Sequence, residues 1–498
     1  MKNKIIASSF WDYLSIVTAT IISLVLQVGM TTFSTRILGA NGYGKLALFF
    51  LVAQLILLFG ISWTSAAVIR YGREEFVLTG GISKTFWGRN VILLPTLVVF
   101  FIIVFLFKGC IVKYVQLPRM GFYLLILYIL GNLLSNYVQY IQQAVDQMRM
   151  LALSKILQRL ISLLGLAMIM FLPFVSKDIS SVLIVAIISL FSSAVFFTLP
   201  FKIKYFLPVI FDKAYIKKIF LFSYPVIFGS GSAYIIDYID IIVIKKYMRL
   251  SDVGVYSLSY QGFSALQAIS MSLITILGPM LVTFLAEGRE DLIKRFINRI
   301  IMQGSVFWSI FLSIIIFLGS VLIPFVFGRS FQGSVVPFSI LMVGLGFNVL
   351  GCFYSPVLTA YELIRQSMVV NVIMALINLA GDFILVPYMG IAGAALASSI
   401  AFSVSALCYV SISNKYLSLN EWRQVFSMVP LITMLVVSLL FKSLFIKGAS
   451  LILILMLSYL IIKKTTIFQE EDVTIFEKVK MPSIARSLIT KTYAFLSA

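Results

Sequence analysis

The sequence predicts an all-α polytopic membrane protein of about fourteen transmembrane helices: two parallel six-helix bundles around a central cavity, followed by a C-terminal helix pair. Three observations predict it: the composition, the alternation of basic residues along the chain, and an internal repeat. Of 498 residues, 61% are hydrophobic and 12% charged, with a mean hydropathy of +1.05, against about 45–50% and 25% in soluble proteins. At about 20 apolar residues per crossing, that fraction supplies at most about 15 helices. A single-span receptor and a large extramembrane enzyme are excluded. Zero His and three scattered cysteines (Cys110, Cys352, Cys408) provide no metal cluster, no disulfide framework and no common general base, so neither a metal nor another cofactor is expected.

Apolar runs between charged or turn-rich breaks define the elements in order. The first six spans are 12–37, 46–69, 87–107, 121–145, 153–172 and 181–201, and the second six are 219–246, 256–285, 300–325, 335–360, 367–387 and 391–412. A pair at 425–441 and 446–462 follows. The chain thus divides into an N-terminal bundle (1–201), a basic cytoplasmic linker (202–218), a C-terminal bundle (219–412), the additional pair (413–462) and a polar cytoplasmic tail (463–498). Only Met1 to Ser9 precede the first span, with no small-residue cleavage site, so that span is expected to be a retained helix.

The formal charge of +20, from 39 Lys+Arg and 19 Asp+Glu, would point to nucleic acid in a soluble protein. Counted on alternate sides of fourteen helices, 27 basic residues fall on the side of the termini and 12 on the other. The cytoplasmic side carries the excess, so both termini are expected inside. Because the basic residues are spread over many loops, they set topology, and no nucleic-acid partner is expected. The linker between the bundles holds five Lys and one Asp, a composition that rests on anionic lipid. Leu38–Leu46 (LGANGYGKL) and Leu250–Leu258 (LSDVGVYSL) share their first Leu, central Gly and last Leu at an offset of 212, and Pro173 and Pro387 repeat at 214. Six helices repeating as six enter the membrane from the same side, a parallel repeat of the kind found in transporters.

Four segments carry a resemblance to a known family. They are Arg36–Gly44 (RILGANGYG); Tyr224-Pro225, then Asp240, then Val253, Gly254 and Tyr256; Gly278-Pro279; and Pro387–Ser398 (PYMGIAGAALAS). In this order they resemble the polysaccharide (O-antigen type, Wzx-like) flippases of the multidrug/oligosaccharidyl-lipid/polysaccharide superfamily. The acidic, arginine-paired segment of the related lipid II flippases is not found in the first two spans. The resemblance implies a fourteen-helix fold and alternating-access export of an undecaprenyl-pyrophosphate-linked glycan from the cytoplasmic to the periplasmic leaflet of the bacterial inner membrane. It also implies other polysaccharide assembly proteins as partners. Cation-coupled multidrug exporters of the same superfamily are the alternative. A glycosyltransferase or polymerase is disfavoured, because the longest outer loop is only about a dozen residues.

A sugar head group needs a polar path through hydrocarbon. In the fourth span Asn132, Asn136, Gln139 and Gln143 fall at steps of 4, 3 and 4, which places four amides on one face. They can line a sugar path or join helices to one another. Asn371, Asn378 and Asp382 share a face of the eleventh span. Ionisable residues inside spans face a cavity or a partner. Asp237 and Asp240, i and i+3 in the seventh span with Tyr234 a turn before, form a pair suited to coupling with H+ or Na+. Lys245, Lys246 and Arg249 lie close enough in sequence to neutralise it instead. Asp382 is a second ion-coupling candidate. A pyrophosphate calls for cations, Arg above all. The candidates are Arg36 at the end of the first span, Arg70 at the end of the second, Arg89 just inside the third, and Lys155 with Arg159 in the fifth. Each has the competing role of snorkelling to lipid head groups.

Overall fold

The computed structural model describes residues 2–118, 120–417 and 423–465. The acidic run Glu470, Glu471 and Asp472 lies outside the described residues. Among those described there are helices and turns and no strand. The helices are α1 (Lys2–Gly60), α2 (Ser65–Thr79), α3 (Ser83–Leu106), α4 (Lys108–Val115), α5 (Gly121–Ala144), α6 (Met148–Phe171), α7 (Ile179–Thr198), α8 (Lys213–Tyr247) and α9 (Leu250–Ala286). They continue with α10 (Glu290–Arg295), α11 (Ile301–Leu322), α12 (Val335–Ala360), α13 (Ile364–Met389), α14 (Ile391–Leu417), α15 (Arg423–Phe426), α16 (Val429–Leu440) and α17 (Leu444–Thr465).

Eleven helical stretches among the described residues are long and apolar enough to cross a membrane. One of them, Ile22–Gly60, has 39 residues, about 58 Å at 1.5 Å per residue, which is two crossings of a hydrocarbon core about 30 Å thick. The two are separated by a break at Gly39 (φ 60°, ψ −179°), a backbone state that side chains disfavour. Adding α8 and α9, of 35 and 37 residues, brings the crossings to fourteen, the all-α polytopic fold that the composition predicts.

The second crossing ends earlier than its sequence indicates. Helix breaks at Ile61 and resumes through a 3-10 turn, Ser62–Thr64, into α2. Arg70, expected at a helix end, therefore lies inside α2. Gly60, Ser62, Thr64 and Ser65 cluster at the break, but without a charge among them Ile61, Trp63, Ala66 and Ala67 still read as a continuing span. The basic linker is also shorter than 202–218: α8 begins at Lys213. Ahead of it, Tyr205 and Phe206 dock on the start of α3, where Ile82 N donates to Tyr205 O at 2.7 Å and Trp87 Nε1 to Phe206 O at 2.9 Å. Tyr205 and Phe206, half-buried between the lysines, thus anchor a segment whose other residues are mostly exposed.

The chain divides into two compact units, Met1–Tyr238 with Leu250–Gly254, and Ile239–Arg249 with Val255–Ala498. In the first, α1 packs on α6, and α5 and α6 pack on α7. The start of α9 approaches α1 without side chains between them. A Cβ on Gly44 would lie 2.1 Å from Leu250 O, and one on Gly254 would lie 2.0 Å from Ala40 O, the small-residue contact that lets membrane helices approach backbone to backbone. In the second unit α12 is central, with Leu341, Met342, Leu345, Val349, Leu350 and Tyr354 all 0% exposed. It packs on α14 and α11, and α16 and α17 cover α11.

Candidate functional site

In the second unit, four helices bring two carboxyl groups into one buried cluster. Asn378 and Asp382, four residues apart, share a face of α13. A Cβ on Gly381 would meet Ala397 Cβ at 2.9 Å, and that tight crossing of α13 on α14 brings Ser398 to the same level. Asp240 enters from α8 and Tyr256 from α9. Asp240 is 1% exposed, Asp382 and Tyr256 0%, Asn378 3% and Ser398 4%.

Asp240 is fully supplied with donors. Its Oδ2 accepts from the Tyr256 hydroxyl and from Ser398 Oγ at 2.8 Å, and its Oδ1 accepts from Asn378 Nδ2 at 3.2 Å. The same amide reaches Ser398 Oγ at 3.2 Å. Asp382 is the opposite case: the Asp240 carboxyl is its electrostatic neighbour and side-chain hydrogen-bond partner, and no hydroxyl, amide or basic group donates to either of its oxygens. No ion pair joins Lys245 or Lys246 to Asp240. The Lys246 ammonium instead lies over the rings of Tyr247 and Phe383, at 5.1 and 5.4 Å. Two buried carboxyls without a basic partner are costly unless a cation or proton joins them. Hard oxygen donors suit a small cation of that kind. No group of three metal-ligating side chains occurs among the described residues.

The pairing differs from the one the spacing of α8 points to. Asp237 is exposed while Asp240 is buried, and the carboxyl beside Asp240 comes from α13. Asn371 is also exposed. Tyr256 and Ser398 stand in the family-like segments, yet nothing in their local sequence assigns them to Asp240, because the contacts bridge 16 and 158 residues.

In the first unit the α5 amides are half-buried and bond along their own helix. Asn132 Nδ2 donates to Tyr128 O at 3.3 Å, Gln139 Nε2 to Ser135 Oγ at 3.3 Å and Gln143 Nε2 to Gln139 O at 3.4 Å; Asn136 is half-buried beside them. The fully buried amide of this helix is Gln142, at 0% exposure. Arg36 and Lys155 are exposed. Arg159 is half-buried and donates through Nη1 to Ser23 O of α1. The exposed Arg70 guanidinium lies 5.1 Å from the Phe222 ring and 5.6 Å from that of Tyr71. Tyr234 donates to Leu51 O at 2.9 Å. Arg89 alone among the predicted cations is buried, at 1% exposure.

Comparison with known proteins gives three findings. The model of a family described as "Polysaccharide biosynthesis protein" matches residues 11–285. A Bacillus subtilis (strain 168) protein, "Uncharacterized transporter YisQ", is 24% identical over 211 residues, 38% of this chain; the match spans 46% of that relative's length. Among solved structures, the inward closed conformation of the lipid II flippase MurJ has a TM-score of 0.64 at 16% identity, covering 92% of this chain and 100% of that one. An inward-facing multidrug resistance MATE family transporter of the MOP superfamily has a TM-score of 0.62 at 14% identity, covering 81% and 98%.

Proposed function

The chain belongs to the polysaccharide biosynthesis protein family, within the MOP flippase superfamily, and from that premise we propose that it moves an undecaprenyl-pyrophosphate-linked oligosaccharide from the cytoplasmic to the outer leaflet of the bacterial inner membrane. Movement proceeds by alternating access, with both termini in the cytoplasm. A proton or sodium ion binds at Asp240 and Asp382 and supplies the coupling. The observation that carries the coupled reading is the buried carboxyl pair, donor-rich at Asp240 and served at Asp382 by no hydroxyl, amide or basic donor. In that cluster a bound cation would neutralise groups on α8 and α13 at once, so its arrival and departure favour different helix arrangements. The family match supports a glycan cargo.

Deleting the protein is expected to abolish surface polysaccharide and leave lipid-linked units on the cytoplasmic face. Unchanged polysaccharide without accumulation would overturn the glycan reading. Asp382→Asn is expected to retain a folded protein and to lose the dependence of export on the sodium or proton gradient. Export by Asp382→Asn that still follows either gradient would remove the coupling role. The second reading, export of amphipathic cations, is favoured by the similarity to a multidrug resistance transporter and by the same carboxyl pair. It requires drug resistance that falls on deletion.

A further inference from the structure

Arg89 is among the largest fully buried side chains of the protein, and most of its hydrogen-bonding capacity is unused. Its Nε donates to Thr64 Oγ1 at 2.9 Å. The guanidinium lies 4.5 Å from the centre of the Tyr137 ring and 5.7 Å from that of Tyr140. Beyond the Tyr137 side chain, Nη1 and Nη2 have no hydrogen-bond partner, so most of the five N–H donors point at no acceptor. The acidic residues nearby are committed elsewhere. Both Glu75 oxygens accept from the start of α3, at Lys84 N (2.8 Å), Thr85 N (2.9 Å) and Thr85 Oγ1 (2.8 Å). Asp146 pairs with Arg73 at 2.8 Å.

Two tyrosine faces attract a guanidinium, and Tyr137 offers it one hydrogen-bonding oxygen, which leaves most of those N–H groups without an acceptor. A buried charge left in this condition is strongly unfavourable unless something else pairs with it. The residue before Thr64 adds to the imbalance: the Trp63 indole N–H is buried and has no acceptor. Donors without acceptors call for a ligand that is anionic and made of acceptors, and the planar fork of an arginine matches two oxygens of one phosphate.

The place of Thr64 supplies a route. It closes the 3-10 turn between α1 and α2, after Ile61 at φ −138° and ψ −47°, the kind of interruption that serves as a hinge. Arg89 stands six residues into α3, about 9 Å along its axis. Motion at such a hinge would draw Thr64 from Nε and expose the guanidinium from that side.

We propose that Arg89 is an anion-binding residue of the first unit that takes two oxygens of a phosphate group when the break at 61–64 opens. The identity of that phosphate as the pyrophosphate of the lipid-linked cargo rests on the flippase reading. The test uses the full chain in phosphatidylcholine nanodiscs and follows the thermal unfolding midpoint with inorganic pyrophosphate, farnesyl pyrophosphate or farnesol. Both anions are expected to raise the midpoint of the wild type, farnesol to leave it unchanged, and Arg89→Met to lose the response. Arg89→Lys, which keeps charge but not the fork, is expected to need about tenfold more ligand, the effect of losing one charged hydrogen bond. This second variant carries the test where Arg89→Met does not fold.

Half-saturation at lower farnesyl pyrophosphate than inorganic pyrophosphate identifies a lipid-linked source, and the reverse order a free phosphate. No shift in the wild type, an equal shift with farnesol, or an undiminished shift in the folded variants overturns the proposal. Normal glycan export by Arg89→Met overturns its role in transport and leaves the flippase reading standing. A wild type that binds pyrophosphate, but whose deletion leaves surface polysaccharide intact, does the opposite.

Discussion

Gly254→Ala would put a methyl carbon 2.0 Å from Ala40 O and 2.8 Å from Gly44 N, where ordinary contact begins at 3.4 Å. The obstacles are backbone atoms, which no rotamer change can move. The two helices must separate by about 1.4 Å at this point, and overpacking of that kind costs about 1–3 kcal/mol. Gly44→Ala meets the same obstacle from the other side, 2.1 Å from Leu250 O. Gly231→Ala is the control: nothing lies within 4 Å of its Cβ, and the helix gains about 1 kcal/mol from alanine. Thermal unfolding of the purified protein is expected to rank Gly231→Ala at or above wild type, with Gly254→Ala and Gly44→Ala clearly below. The double variant should cost less than the sum, because one separation accommodates both methyls. If Gly254→Ala unfolds at the same temperature as Gly231→Ala, the backbone crossing is not what holds these helices.

Three further outcomes are expected. Ser398→Ala removes a donor from Asp240 and an acceptor from Asn378, and a hydrogen bond to a charged group contributes about 1.5–3 kcal/mol; denaturation of the purified variant at wild-type temperature would contradict this. Glu75→Ala strips the start of α3 of the carboxylate that serves two of its N–H groups, at about 0.5–2 kcal/mol by analogy with helix caps, which hydrogen exchange at residues 83–86 would report as faster exchange. Arg36→Ala is expected to impair export more than Arg36→Lys in a surface-polysaccharide assay, and wild-type export by Arg36→Ala would assign that residue to structure alone.

The fourteen crossings were legible because hydropathy and charge alternation act locally. The break at 61–64 was not, because Ser62 and Thr64 carry no charge and stand between apolar residues on both sides, so the run reads as one span. Asp240 and Asp382 stand out in the sequence as lone acids in apolar runs, since charge inside hydrocarbon is costly. Their pairing does not. The i,i+3 spacing of Asp237 and Asp240 is a local regularity, whereas the neighbour that Asp240 has is set by the crossing of α13 and α14 near Gly381 and Ala397. Arg89 is similar: its sequence neighbours fix its depth in α3, but its lack of a counter-charge emerges only when α2 and α5 are folded around it.

The carboxylate of Glu75 has a mechanical side. By holding the first N–H groups of α3 from one turn short of the end of α2, it turns two helices and their short connection into one stiff arm. The arm's pivot is the break at 61–64. Its α2 limb is 15 residues long, about 22 Å, so a tilt of about 10° swings the far end by about 4 Å. Leverage of this size lets a small torsional change at the pivot become a displacement wide enough to admit or expel a small polar group.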